Sequence, residues 1–237
     1  MRPQIVVGES AGVRTLHFGS RWIQGAMRLQ RPWTLELEYT RAMLAPLALA
    51  PAGDWPGRVL VVGLGAASFV RWFWRHRPGT RMTVVEIDER VVAVARAQFK
   101  LPDDERIRIV VGDAADVVPA LYERHDLVLV DGFDARGRSG RLESAGFQTA
   151  CRARMADGGF LSINLLARTR GIAPALARLR EAHGDEVRAL AACASGNTVA
   201  IATRGGDWGR PRERAVAAAR LRSETGLDLR STLASLA

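Results

Sequence analysis

The sequence predicts a doubly wound α/β fold, a mostly parallel sheet with helices on both faces, preceded by a small antiparallel β appendage. Two observations predict it. From Arg58 onward, short apolar runs alternate with helical patterns, as expected of strands buried on both faces and joined by right-handed crossovers. Within the first thirty residues the pattern falls instead at period two, the spacing of a half-buried strand.

Taken in order, Ile5 and Val7, then Val13, Thr15 and His17, then Trp22, Gln24 and Ala26 alternate, with GESAG at 8–12 and Gly19-Ser20 reading as turns. Residues 1–32 therefore form the expected small sheet. Leu35, Tyr39, Met43 and Leu47 share one helical face, so 33–57 reads as a connecting helix and linker that ends in APAGDWPG at 50–57. The main domain, 58–206, carries expected strands at 59–62, 82–87, 107–111, 126–131 and 160–166, with helices near 67–77, 89–100, 115–124, 143–155 and 172–183. EVRALAAC and TVAIATR flank Ser195-Gly196-Asn197 and suggest a closing antiparallel pair. The arginine-rich remainder, 207–237, reads as a helical tail on the surface.

Composition narrows the function classes. With 237 residues, 48% hydrophobic and 25% charged, the chain can bury a core, which excludes a disordered segment, a disulfide miniprotein and a repeat solenoid. No stretch approaches the roughly 20 apolar residues of a membrane span. The start, MRPQIVVGES, has no apolar h-region, so no signal peptide and a cytoplasmic location are expected. Cys151 and Cys193 lie outside any metal-spaced pair and read as reduced core residues. The net charge is +9, yet of 34 basic residues only Lys100 is lysine. Arginine spread along the chain reads as compositional bias, whereas nucleic-acid binding needs clustering on one face. One local cluster stands out, Arg136, Arg138 and Arg141.

In an open α/β sheet, ligands bind beyond the carboxyl ends of the strands, so the residues there carry the chemistry. After the first main strand comes Gly63-Leu64-Gly65-Ala66-Ala67-Ser68. Glycines allow a tight turn and close approach to a ligand, although a packing turn looks the same. A dinucleotide loop would want glycine where Ser68 stands, which counts against NAD(P). After the second strand Glu86 is placed to accept both ribose hydroxyls, or else is a surface acid at a helix start. After the third, Asp113 suits an adenine amino group or a helix cap. Acids at successive strand ends favour the nucleoside reading. After the fourth come Asp131 and Asp134, which can hold and deprotonate an amine, or simply end a strand and cap a loop. No His, Cys and carboxylate cluster has metal-ligand spacing, so no metal is expected; His17, His76, His125 and His183 are scattered.

With these motifs in place, VLVVGLG, VVEID, VVGDA and DLVLVDGFD, residues 16–204 resemble the spermidine synthase family of polyamine aminopropyltransferases. The resemblance implies a Rossmann-like, methyltransferase-type main domain and a homodimer. It also implies a decarboxylated S-adenosylmethionine donor and a small amine acceptor. No membrane partner is expected, and RNA binding through the arginines stays open as a further alternative. It assigns Glu86 to the donor ribose, Asp113 to its adenine, and Gly63 and Gly65 to the loop beside it. Asp131 becomes the acid that deprotonates the amine, Asp134 a substrate grip, and Gln24 and Tyr39 cleft residues. Two departures are visible. Ala66 stands where the family carries the acid that binds the donor's ammonium, which favours intact S-adenosylmethionine and methyl transfer as the alternative. Three arginines follow Asp134, and they would repel a cationic acceptor unless they point outward. A nucleoside-binding homologue without transferase activity is the third reading.

Overall fold

The computed structural model describes residues 3–20, 22–50, 53–134, 136–166 and 171–236. Residues 51 and 52 of the expected linker, Ala135 at the start of the arginine loop, and Met1 and Arg2 lie outside the described residues.

Three antiparallel strands form the appendage, β1 (Ile5–Ser10), β2 (Val13–Phe18) and β3 (Gly25–Arg28), in the order β1-β2-β3. Two local expectations are corrected. GESAG is not all turn: β1 runs through Gly8 to Ser10, and the reversal is made by Ala11 and Gly12 alone, at φ 49° and 74°. Positive φ at both central residues matches the twist of a tight hairpin. The third strand lies at Gly25–Arg28 rather than over Trp22, Gln24 and Ala26. There Gly25, Ala26 and Met27 are all buried, because this edge packs on the main domain: Leu16 and Met27 cluster with Ala66 and Phe99. A strand covered on both faces shows no alternation.

The helix expected within 33–57 is divided. α1 (Glu38–Met43) is followed by a 3-10 turn, Ala45–Ala48. Pro46 has no N–H to continue the ladder, yet Leu35, Tyr39, Met43 and Leu47 are all buried as their spacing requires.

The main domain alternates β4 (Arg58–Val62), α2 (Ser68–His76), β5 (Arg81–Glu86), α3 (Glu89–Gln98), β6 (Ile107–Val111), α4 (Ala114–Ala120), β7 (His125–Val130), α5 (Ala145–Arg154), β8 (Met155–Leu166), α6 (Ala173–His183), β9 (Val187–Ala189) and β10 (Asn197–Thr203). The seven strands lie in the order β6-β5-β4-β7-β8-β10-β9. The first five are parallel, and β10 is antiparallel to both of its neighbours. Strand order reverses between β4 and β7, which opens a crevice at their carboxyl ends. One face buries residues of α1, α2 and the C-terminal helices, the other residues of α4, α5 and α6.

α4 ends one residue after Pro119, short of the expected 124, since the ring removes an N–H from the helix. The C-terminal segment forms α7 (Pro211–Thr225) and α8 (Arg230–Ala234). It is not only superficial: Ala218, Leu221, Leu227, Leu229 and Leu233 join the larger core. The arginines hide this pattern: Arg212, Arg220, Arg222 and Arg230 occupy outward positions of the same helices, while Arg214 is buried and donates to the Leu236 carbonyl.

Candidate active site

A cavity of about 710 Å³ opens at the carboxyl ends of β4, β5, β6 and β7. The appendage closes one side through Phe18 and Gln24, and the loop 136–142 closes another.

Its floor is the turn after β4. Gly63 has φ 93°, and a Cβ there would stand 2.2 Å from the Asp131 carbonyl oxygen, so no other residue fits without moving β7. Gly65, at φ 48°, also lines the cavity. Ala67 is left-handed at φ 56° and opens α2.

Glu86 ends β5 and is 7% exposed. One carboxylate oxygen accepts the N–H of Leu64 at 2.9 Å, the other that of Asp88 at 3.0 Å. Burial raises this carboxyl, and the N–H donors around it oppose the rise. It therefore ties the glycine turn to the start of α3 while lining the cavity. Each oxygen keeps a further lone pair for a hydroxyl donor. Ile87 beside it is 69% exposed, an apolar surface turned into the same space.

Asp113 serves as both cap and cavity residue. Its Oδ1 accepts the N–H of Ala115 at 2.8 Å, which caps α4, and its Oδ2 accepts from Arg141 at 2.8 Å. Arg141 also holds Asp116 at 2.6 Å. Sequence reading did not foresee this bridge, since 28 residues separate Arg141 from Asp113.

Asp131 follows β7, half-buried. The Tyr39 hydroxyl donates to Oδ2 at 3.1 Å and the Asn164 amide to Oδ1 at 2.9 Å. Asn164 in turn accepts from the Asn197 amide at 2.9 Å, and Asn197 from Ser195 at 2.7 Å. The row fixes the orientation of each amide, so donors alone point at Asp131. Burial raises the Asp131 carboxyl to about 6, against the pull of those two donors. The same burial, then the Asp131 charge, raises Tyr39 well above its ordinary value. The sequence reading passed over Asn164, although an asparagine within the apolar run FLSINLL was the available signal, and took Asn197 only as part of a turn, whereas it opens β10. Replacing Asn164 by Leu removes a donor to the charged form and raises Asp131 further. The acid limb of the kcat/KM against pH profile then moves above pH 6; a limb left in place shows that Asn164 does not tune Asp131.

Asp134 is committed to its own loop. Oδ1 accepts the N–H groups of Arg136 and Arg138, and Oδ2 accepts Arg138 Nε at 2.8 Å. Burial raises this carboxyl, but the Arg138 contacts outweigh it and hold it below the ordinary range. The three arginines do not all point outward: Arg136, Arg138 and Arg141 line the cavity. Gln24 and Tyr39 border a second void of about 30 Å³, shared with Ala66 and Asp131. Ala66 is 2% exposed and packs on Gly25. Among the described residues no group of three metal-ligating side chains occurs.

The spermine/spermidine synthase domain matches residues 39–164, more than half of the chain. The chain belongs to the spermine/spermidine synthase family. A polyamine aminopropyltransferase of this family from Neisseria meningitidis serogroup A is 31% identical over 240 residues, which cover 99% of this chain and 89% of the relative. A polyamine aminopropyltransferase from Chromobacterium violaceum is 33% identical over 85% of this chain and 77% of its own. Among solved structures, a probable spermidine synthase from Corynebacterium glutamicum superposes with a TM-score of 0.77 at 22% identity, covering 92% of this chain and 83% of that one. The superposition bears out a spermidine synthase-type fold: the methyltransferase-like sheet together with the N-terminal strands. No described helix is long and apolar enough to cross a membrane.

Proposed function

We propose that this family member transfers an aminopropyl group from decarboxylated S-adenosylmethionine to an amine. The observation that carries the reading is Asp131, a carboxylate raised to about 6 at the floor of a cavity whose adjacent wall is Glu86. Glu86 would take the ribose hydroxyls through its free lone pairs. Asp113 would take the adenine amino group, with Arg141 yielding or sharing Oδ2.

An alkylamine, ordinarily near pKa 10.4, is an ammonium at neutral pH and cannot attack until it loses a proton. Handing that proton to a carboxylate at about 3.8 is uphill by roughly 6.6 pKa units, or about 9 kcal/mol. Handing it to Asp131 at about 6 reduces this to roughly 4.4 units, or about 6 kcal/mol. Burial therefore lowers the barrier while still leaving Asp131 largely ionised at pH 7. The freed lone pair then forms the carbon–nitrogen bond as the carbon–sulfur bond breaks. The electron pair returns to sulfur, and neutral methylthioadenosine leaves. The remaining contribution is positioning, through Gln24, Tyr39 and the glycine turn.

Ala66 supports a second reading, methyl transfer from the intact donor. No carboxylate at this position meets the donor's ammonium, and none repels the carboxylate of intact S-adenosylmethionine. Calorimetric titration with the two donors separates the readings. The decarboxylated donor should bind at least as tightly as the intact one; a tenfold preference for the intact donor favours methyl transfer.

A further inference from the structure

Two donors hold Asp131, and one of them is itself held from a distance. The Asn164 amide on β8 donates to Asp131 Oδ1 at 2.9 Å, and the Asn197 amide at the start of β10 donates to Asn164 Oδ1 at 2.9 Å. The Ser195 hydroxyl, in the turn before β10, completes the row on Asn197 Oδ1 at 2.7 Å. Asn164 is 3% exposed and Asn197 7%. Neither lines the cavity or the second void. The turn is seated on α1, where Glu38 accepts the Ala194 N–H at 3.0 Å. It therefore meets the helix that carries Tyr39, the other donor to Asp131.

The row has a polarity. An ionised carboxylate only accepts, so it pairs with an amide that turns its NH2 inward. That leaves the Asn164 oxygen buried and facing away, where it needs a donor of its own. A reversed Asn164 would set oxygen against oxygen, and only protonated Asp131 could pair with it. We propose that Asn197 is a positioning residue for proton transfer. By donating to the Asn164 oxygen it keeps the Asn164 NH2 on Asp131, and so holds that carboxylate ready to accept the proton of the amine. This deepens the reading of Asp131 given above and rests on it for the link to rate. Other groups face Asp131. Tyr39 of α1 touches it, and Glu86 after β5, Asp113 before α4, and Asp134, Arg136, Arg138 and Arg141 of the loop line the same cavity. Burial and the two donors set the balance that places Asp131 at about 6, and every one of these other groups stays unaltered in the variants below.

The test reads Asp131 directly, by carboxyl NMR titration of the isotope-labelled full chain, with its signal assigned by loss in Asp131→Asn. Asn197→Leu should move the midpoint up by about half a unit, and Asn164→Leu by about one unit. The double variant should titrate with Asn164→Leu alone, since without that amide Asn197 has nothing to orient. The acid limb of kcat/KM against pH should follow the same order. Asn197→Asp keeps the shape of the side chain if the leucine variant does not fold, and its acceptor-only carboxylate should raise the midpoint at least as far. A midpoint that the variants at Asn197 leave in place overturns the proposal, as do shifts that add fully in the double variant; either result makes Asn197 a strut of the turn. If the midpoint moves as stated but no aminopropyl group is transferred, the positioning role stands and the reaction assigned to the site is wrong.

Discussion

Asp131→Asn should lower kcat for aminopropyl transfer at least a hundredfold while methylthioadenosine binds with nearly unchanged affinity. A positioned general base is worth about 10²–10⁴ in rate, and an amide cannot take the ammonium proton. The substitution is tolerable to the fold for a specific reason. Asparagine can turn its oxygen to the Asn164 amide and its NH2 to Tyr39, whose hydroxyl rotates to accept instead of donating. The hydrogen-bonded row behind Asp131 therefore survives, and the loss lies in proton removal. Steady-state kinetics paired with nucleoside calorimetry checks this, and turnover close to that of the unaltered chain would remove Asp131 from the mechanism. In the unaltered chain, kcat/KM should fall as pH drops through about 6, because only ionised Asp131 accepts the proton.

Glu86→Gln should weaken methylthioadenosine binding about 10- to 150-fold, the range of a charge-assisted hydrogen bond worth about 1.5–3 kcal/mol. The variant carries a second cost. Both carboxylate oxygens accept backbone N–H groups, at Leu64 and at Asp88. A glutamine must turn its NH2 toward one of them and leave that donor unpaired, at a cost of about 1–3 kcal/mol. Thermal unfolding without ligand reads this second effect, and the dissociation constant reads the first. A large drop in melting temperature with unchanged nucleoside affinity would make Glu86 a structural strut alone.

What was legible in the sequence follows period and position. The parallel strands could be placed because strands buried on both faces are continuous apolar runs, and the acids at their ends because the switch point fixes where ligands bind. Contacts between distant segments left no such trace. Nothing local announces that Arg141 bridges Asp113 and Asp116, or that Asn197 orients Asn164 from the antiparallel strand. Pro46 and Pro119 could be read as breaks, yet the apolar spacing continued across Pro46 because the 3-10 turn keeps Leu47 inward. The C-terminal leucines were masked by the arginines between them.

The central claim is that this cavity joins a propylamine carbon to an amine nitrogen. Mass-spectrometric turnover with the decarboxylated and the intact donor, against a panel of amines, tests it most directly. The account predicts an amine product heavier by one aminopropyl group, formed with one methylthioadenosine, from the decarboxylated donor only. A methylated product from the intact donor, with no aminopropyl product from any amine, would contradict it.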